Sequence, residues 1–314
     1  MASDSPAHRP VLLTEVLEAL RPAPGGMYVD CTVGAGGHSE AVLDASAPDG
    51  TVLGIDADPS ALDLAAACLR RFGERVRLEQ ANYRELDVVL ARTHTPLADG
   101  ILLDLGVSSM QLDQPARGFS FQADGPLDMR MDRSTGRTAA DVVNTLPERE
   151  LANLIFEFGE ERFSRRVARE IVQRRVRAPF ETTSDLARAI AAAVPGRPGW
   201  GIHPATRTFQ ALRIFVNDEL GGLEEVLPKA VAALKPGGRL AVISFHSLED
   251  RIVKRFFLAN RERLEILTKK PLVATEAEQR QNPRSRSAKL RVAARLSDGA
   301  AVPTVKQLRT VGAS

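Results

Sequence analysis

The residues best suited to chemistry in this 314-residue chain directly follow apolar stretches. The first group, residues 30–39, reads Asp-Cys-Thr-Val-Gly-Ala-Gly-Gly-His-Ser, and Asp56, Asp104 and His246 follow three further apolar stretches. Glycines at a turn let the backbone approach a ligand closely, and a helix that begins there directs N–H groups at it. A carboxylate near such a turn can accept hydrogen bonds from ribose hydroxyls. The pattern therefore favours a nucleotide-type cofactor.

The spacing of the glycines narrows the choice of cofactor. A dinucleotide fingerprint, G-x-G-x-x-G, that starts at Gly34 would need a third glycine where Ser39 stands. No G-x-x-x-x-G-K-[ST] segment is present, which argues against a nucleoside triphosphate. An acidic residue at a strand end followed by G-x-G is typical of sites for S-adenosylmethionine, with Asp56 placed for the ribose. A plain tight turn flanked by two carboxylates would give the same letters, so the loop alone leaves both interpretations open.

Other catalytic chemistries have weaker support in the sequence. None of the five histidines lies at i, i+4 from another, so no metal site is predicted. No G-x-S-x-G nucleophile turn is present. Ser247 and Asp250 have the spacing of a helix-capping box, and we expect them to cap a helix. His246 is a candidate site residue because it follows a strand where α/β sheets hold their substrates.

Alternating strands and helices must position these residues. Residues 27–31, 51–55, 76–79, 100–105 and 238–245 read as strands, and residues 14–20 and the segment after Asp58-Pro59 as helices, which predicts a doubly wound α/β sheet. Residues 111–141 read as an ordered loop, and residues 147–193 and about 205–220 as helices without strands. We therefore predict a helical domain, residues 111–215, inserted between two parts of one α/β domain, residues 1–110 and 216–314.

Composition excludes several classes of protein and suggests a partner. Two cysteines cannot build a disulfide framework, and no apolar run reaches the length of about 18 residues typical of membrane-spanning helices. The first residues do not have the layout of a signal peptide, so we expect a soluble, cytoplasmic protein. The formal charge of +2 divides into −8 for residues 1–110, zero for 111–250 and +10 for 251–314. This asymmetry favours a polyanionic partner, although a solvated basic tail is the simpler alternative.

Seven motifs extend the interpretation beyond a generic fold. The chain resembles the bacterial 16S ribosomal RNA cytosine-N4-methyltransferase (RsmH or MraW) family from His8 to about Arg295. The motifs that carry the resemblance are His8-x-Pro-Val-Leu-Leu, Thr32-Val-Gly-Ala-Gly-Gly-His-Ser, Asp104-Leu-Gly-Val-Ser-Ser-x-Gln-Leu-Asp, Arg117-Gly-Phe-Ser-Phe, Gly125-Pro-Leu-Asp-Met-Arg-Met, His203-Pro-Ala-Thr-Arg-Thr-Phe-Gln and Ser244-Phe-His-Ser-Leu-Glu-Asp-Arg.

The resemblance implies a class I, Rossmann-like, S-adenosylmethionine-dependent methyltransferase with an inserted all-helical domain that helps to hold the target cytidine. The reaction it implies is N4-methylation of a specific cytidine in the decoding region (P site) of 16S ribosomal RNA in the small subunit. The cofactor contacts that it implies are Gly36, Gly37 and His38 in the loop, Asp56 at the ribose, Tyr83 beside the adenine, and Asp104 and Gln111.

For the methylation step we expect Asp104 to accept hydrogen bonds from the cytosine amine, with His246 as the next candidate for positioning or proton removal. Phe119 or Phe121 is expected to cover the unstacked base. The arginines between Arg165 and Arg177, and a basic tail from Lys254 to Arg309, are expected to bind phosphates.

Three other functions remain open: an NAD-dependent oxidoreductase, a methyltransferase for a small molecule or protein, and a non-catalytic RNA-binding or assembly factor with a vestigial cofactor pocket. The sequence leaves open whether the protein acts as a monomer or a homodimer.

Overall fold

The computed structural model describes residues 10–194 and 202–297 and divides into two compact units. The sheet unit contains the chain up to Gly106 and again from Gly222, and the helical unit is Val107–Gly221. The sequence prediction put these boundaries after residues 110 and 215. His8 and the part of the predicted basic tail beyond residue 297 lie outside the described residues.

The sheet unit is built on seven strands in the order β3-β2-β1-β4-β5-β7-β6. The first five strands are parallel where they pair, and β7 is antiparallel to both of its neighbours. This is a Rossmann-like sheet, and the predicted α/β fold class is confirmed. The strands are β1 (Met27–Asp30), β2 (Thr51–Asp56), β3 (Val76–Gln80), β4 (Ala98–Asp104), β5 (Leu234–Ser244), β6 (Leu264–Ile266) and β7 (Lys289–Arg295).

The helices belong to both units: some cover the two faces of the sheet, and the others build the helical unit. In the described residues they are α1 (Leu13–Leu20), α2 (Gly37–Ala45), α3 (Pro59–Leu69), α4 (Leu86–Thr93), α5 (Ser109–Asp113), α6 (Ala139–Thr145), α7 (Glu148–Gly159), α8 (Ser164–Arg175), α9 (Thr183–Ala193), α10 (Thr206–Asn217), α11 (Glu219–Ala233), α12 (Ser247–Ala259) and α13 (Glu276–Gln281). Along β4, Ile101 and Leu103 join one apolar core, with residues of α4 and α11, whereas Leu102 joins the core of α1 and α2. A strand buried on both faces needs apolar residues, and β4 has them between Asp99 and Asp104.

Several predicted local features are present. Asp58 caps α3 by accepting a hydrogen bond from Ser60 N at 3.0 Å, and Pro59 occupies the first helical position. Residues 111–141 are mostly an ordered loop, although α5 and α6 lie at its ends. Within it Met129 is fully buried, and its carbonyl accepts a hydrogen bond from Asn217 Nδ2 at 2.8 Å.

One predicted helix is present with a different end, and one predicted cap was wrong. The helix expected over about residues 205–220 is α10, which ends at Asn217 because Asp218 adopts a left-handed conformation with φ 46°, and α11 then begins at Glu219. The expected cap at Ser247 is instead His246: its side chain accepts from Glu249 N, and the Glu249 side chain accepts from His246 N. Among the described residues, no helix combines the length and apolar character needed to cross a membrane.

Candidate active site at the carboxyl ends of the strands

Three aspartates end neighbouring parallel strands and so lie along one edge of the sheet. Asp30 ends β1, Asp56 ends β2 and Asp104 ends β4. The order of the strands reverses between β1 and β4, and in open α/β sheets such a switch point leaves a crevice outside the carboxyl ends. The structure therefore brings together the strand-end residues that the sequence singled out.

The glycine loop connects β1 to α2 and is tied to the end of β2. Gly34 and Gly36 have φ values of 53° and 91°, a region that side chains other than glycine rarely adopt. The space beside Gly36 and Gly37 is occupied by the protein itself. A Cβ on Gly36 would lie 3.2 Å from Leu69 Cγ, and one on Gly37 would lie 2.5 Å from Pro10 Cγ. Both glycines therefore allow the loop to pack, and any contact they make with a ligand would come from the backbone.

Asp56 is fixed by two backbone donors. Gly34 N donates to Oδ2 and Asp58 N donates to Oδ1, each at 2.9 Å. Each carboxylate oxygen can accept more than one hydrogen bond, so both retain capacity for hydroxyl groups of a ligand. Burial raises the pKa of Asp56 to about 6, although the two backbone donors act in the opposite direction. The carboxylate is thus held in place and is ionised at neutral pH.

Asp30 has a structural partner that explains the departure from the dinucleotide fingerprint. Ser39, where that fingerprint requires glycine, donates its hydroxyl to Asp30 Oδ2 at 2.8 Å. Thr32 N donates to the other oxygen at 3.2 Å. Burial raises the pKa of Asp30, while the charge of His38 and the Ser39 bond lower it. Asp30 therefore joins the start of α2 to the end of β1.

Asp104 and His38 form the least satisfied polar pair at this edge. His38 Nε2 lies 3.5 Å from Asp104 Oδ2, and Asp104 N donates to Thr32 Oγ1 at 2.7 Å. Within the described residues, neither ring nitrogen of His38 nor Asp104 Oδ1 has a hydrogen-bond partner, although all three atoms are buried. A buried polar atom left without a partner costs about 1–3 kcal/mol. Such atoms at a crevice indicate a ligand that satisfies them.

Tyr83 follows β3 and so lies at the same edge of the sheet. It opens a short 3-10 turn, Tyr83–Glu85, that Asn82 caps through its side chain. Its ring packs against α11 at Gly222, where an added Cβ would lie only 3.1 Å from Cε2 of the ring. A glycine inside a helix is unfavourable, and here it makes room for this ring.

Gln111, predicted in the same pocket, belongs to the helical unit. Its side chain is buried, and its Oε1 accepts a hydrogen bond from Ser108 N at 3.0 Å. This bond shapes the start of α5. A role for Gln111 in holding the cofactor stays a prediction.

His246 lies between the end of β5 and α12, with both of its ring nitrogens near Glu249. Its Nδ1 accepts from Glu249 N at 3.5 Å, and its Nε2 lies 3.1 Å from Glu249 Oε1. The Glu249 carboxylate also accepts from Phe245 N at 2.7 Å, and both side chains are buried. Nδ1 of His246 thus belongs to the turn, while its Nε2 is buried and makes no hydrogen bond within the described residues.

Sequence comparisons identify the family. Residues 5–296 match the sequence profile of the MraW methylase family. The chain belongs to this family. A protein named ribosomal RNA small subunit methyltransferase H from Deinococcus radiodurans is 57% identical over 289 residues, which cover 92% of this chain and 90% of that protein. One of the same name from Heliobacterium modesticaldum is 51% identical over 308 residues, which cover 92% and 98%.

A solved rRNA methylase from Streptococcus thermophilus shares 12% identity over 91% of this chain and 94% of that one, with a TM-score of 0.43. A similarity this low adds nothing to the family assignment, which depends on the sequence matches.

The protein is a methyltransferase that uses S-adenosylmethionine. The residues at the sheet edge have the right chemistry for this cofactor, which carries ribose hydroxyls, an amino acid end and an adenine ring. Asp56 offers a carboxylate, His38 and Asp104 offer buried polar atoms without partners, and Tyr83 offers an aromatic ring.

Sequence reasoning from the residues alone did not find Tyr83 or Gln111, because neither ends a strand nor lies in a glycine-rich turn. It also missed Gly222, whose role depends on the packing of α11 against Tyr83. The Gly221-Gly222 pair inside a helical segment was the available signal.

Proposed function

We propose that this methylase transfers a methyl group from S-adenosylmethionine to the exocyclic N4 of a specific cytidine in the decoding region (P site) of 16S ribosomal RNA in the small subunit. The observation that carries this proposal is the high identity, over nearly the whole chain, to proteins named ribosomal RNA small subunit methyltransferase H. An enzyme of ribosomal RNA would act in the cytoplasm, where small subunits are assembled.

The cofactor would be held at the carboxyl edge of the sheet. Asp56 would accept the ribose hydroxyls with the lone pairs that its two backbone donors leave available. The backbone of Gly36 and Gly37 and the side chain of His38 would bind the amino acid end. Tyr83 would lie beside the adenine, and Gln111 would complete the pocket.

The difficult part of the reaction is the weakness of the nucleophile, because the lone pair of the cytosine N4 is delocalised into the ring. The sulfonium group of the cofactor supplies an electrophilic methyl group. Asp104 Oδ1, which is buried and lacks a protein hydrogen-bond partner within the described residues, would accept a hydrogen bond from the N4 amine. This hydrogen bond would orient the amine. The Asp104 carboxylate would then receive the proton that N4 loses as the N–C bond forms.

The cytosine must leave any base stack before it can reach such a pocket. Of the two rings predicted to cover it, Phe119 is buried in the core of the helical unit and offers no free face. Phe121 is half-buried and lies 4.6 Å from the exposed ring of His203, measured between centroids. We therefore assign the covering role to Phe121.

His246 would act by positioning rather than by proton removal. Both of its ring nitrogens face Glu249, so a change at either residue would move the turn after β5.

The test is methyl transfer from labelled S-adenosylmethionine to small subunits that lack the modification, in parallel with naked 16S ribosomal RNA, followed by nucleoside analysis. The expected product is N4-methylcytidine at one position. Label on a ring carbon or on another nucleoside would overturn the assignment of the acceptor. No transfer to either RNA, with the cofactor bound, would favour the assembly-factor alternative.

A further inference from the structure

The face of α8 opposite the core is rich in arginines. Val167, Ala168 and Ile171 bury the inner face of this helix in the core of the helical unit. Most of the exposed side chains of this segment are arginines, although Phe163, Gln173 and Val176 are exposed as well. The exposed arginines, on α8 and just beyond both of its ends, are Arg162, Arg165, Arg166, Arg169, Arg174 and Arg177, which we call the α8 arginine face. At 1.5 Å per residue the face is about 22 Å long.

Most of this charge is not neutralised by the protein. Arg169 Nε lies 3.7 Å from Glu148 Oε1, and Arg174 Nε lies 4.0 Å from Glu170 Oε1. The other four arginines of the face have no ion-pair partner in the part of the chain that the structure describes. Exposed pairs at such distances contribute little, so the face presents a dense positive charge to solvent.

A neighbouring arginine of the same helix has a structural role, because it bonds to backbone carbonyls of another element. Arg175 is half-buried, and its Nη1 donates to Val143 O and Leu146 O, each at 2.7 Å. It therefore joins α8 to the end of α6. The arginines of the α8 face make no comparable contact that the fold requires.

The placement of two of these arginines works against the helix. Arg165 and Arg166 lie in the first turn of α8, which has no acidic residue and no side-chain cap. Positive charge is unfavourable there because the helix dipole is positive at its N-terminus, whereas Arg174, in the last turn, is favourably placed. Arg165 and Arg166 are thus not explained by the stability of α8.

The basic segment after residue 250 is a weaker candidate for a phosphate surface, because part of its charge is used inside the sheet unit. Arg291 is buried in β7, and its Nε lies 2.7 Å from Asp250 Oδ1. Arg295 donates to the carbonyls of Ala232 and Leu234.

We propose that the α8 arginine face binds the sugar–phosphate backbone of the RNA that flanks the target base. The proposal rests on the proposed function, because it takes ribosomal RNA as the substrate. The face contains six arginines and no lysine, and the planar guanidinium suits bidentate contacts with phosphate. A cluster of such groups binds a backbone without reading its sequence, so the face contributes affinity and orientation while the pocket selects the base.

The test compares two variants that lose the same net charge. R162Q/R165Q/R166Q/R169Q neutralises four arginines of the face. R71Q/R92Q/R188Q/R280Q neutralises four exposed arginines elsewhere, each of which already pairs with a carboxylate. KM for unmodified small subunits or 16S ribosomal RNA is measured from 50 to 500 mM salt. Kd for S-adenosylmethionine and the unfolding temperature are measured alongside.

For the face variant, KM for RNA should rise more than about tenfold, and the slope of log KM against log salt should fall by about 3, since each lost phosphate contact removes 0.7–0.9. Its kcat at saturating RNA and its Kd for the cofactor should stay at wild-type values. The control variant should change KM by less than about twofold, because its arginines are neutralised within the protein.

Equal KM values and slopes for the two variants would overturn this inference, while methylation of RNA by the wild type would leave the proposed function standing. If the fourfold variant unfolds early, the pairs R165Q/R166Q and R162Q/R169Q serve instead, each with about half the change in slope. A wild-type protein that methylates no ribosomal RNA would remove both proposals.

Discussion

Two charged regions of this methylase differ in burial and in how far the protein neutralises their charge. At the edge of the sheet, hydrogen bonds from protein donors hold the carboxylates of Asp30 and Asp56, and burial raises the pKa of both. The α8 arginine face lies in solvent, and most of its side chains are free of carboxylates among the described residues. Buried charges respond to pH because desolvation shifts their protonation, whereas exposed charges respond to salt because ions screen them. The proposed binding of cofactor and of RNA should therefore respond to different variables.

The largest expected effect comes from Asp104→Asn. The substitution preserves shape but removes the negative charge that would accept the hydrogen bond and proton from N4, so kcat should fall about 10²–10³-fold. The salt dependence of KM for RNA should stay unchanged, because the arginine face is intact. Single-turnover methylation measures the first quantity and a salt series the second.

The matched control for this variant is Asp63→Asn, which changes an exposed aspartate on α3. It should retain wild-type activity. Full turnover and wild-type cofactor affinity in D104N would show that Asp104 does not have the proposed role.

The next largest expected effect is a tenfold change in Kd for S-adenosylmethionine with pH, caused by protonation of Asp56. Only the ionised carboxylate accepts hydrogen bonds from both ribose hydroxyls, so affinity should fall as pH drops through the pKa of the free protein, about 6. Between pH 7.5 and pH 5, Kd for S-adenosylmethionine should rise about tenfold. Calorimetric titration at several pH values provides the measurement.

Asp56→Asn is the control for the pH effect. This variant should bind the cofactor more weakly at pH 7.5 and lose most of the dependence on pH. If the pH profile survives the substitution unchanged, another group, such as the buried Asp30, is responsible for it.

The smallest expected effect concerns the helix glycine beside Tyr83. In Gly222→Ala the new Cβ would lie 3.1 Å from the Tyr83 ring and 3.3 Å from Arg84 Nη2, so the ring must shift by a few tenths of an ångström. We expect KM for S-adenosylmethionine to rise about threefold, a loss of less than 1 kcal/mol, with kcat unchanged. Tyr83→Ala should raise the same KM.

The double variant decides whether Gly222 acts through Tyr83. In the Y83A background, G222A should have no further effect on KM, because the ring that it displaces is gone. Additive changes would indicate that Gly222 influences the pocket by another route.

Much of the sheet could be predicted because β1, β2 and β4 read as short apolar runs ended by an acidic residue, and β3 alternates apolar and polar residues. The same pattern located Asp56 and Asp104 at one edge. By contrast, β7 was not predicted, because Arg291 interrupts its apolar run. Only the fold shows that Asp250 neutralises this arginine, which allows the strand to be buried.

The local chemistry of the site was harder to predict. The capping position was placed one residue too late, since Ser247 is a common cap and histidine is not, and only the contact with Glu249 identifies His246. The glycines of the loop were predicted to approach a ligand, whereas Gly36 and Gly37 first make room for Leu69 and Pro10. Contacts between residues far apart in sequence decide such details, and local patterns do not contain them.

The position of β7 has a consequence for synthesis of the protein. The strand pairs with both β5 and β6, and its Leu290 and Val292 share a core with Leu12 and Val16 near the start of the chain. A nascent chain therefore cannot finish its central sheet until residue 295 has left the translating ribosome. A product truncated before residue 289 would expose the edge of β5 and remove part of the core that covers α1, a state prone to aggregation. Catalytic competence thus depends on complete translation as well as on the residues of the pocket.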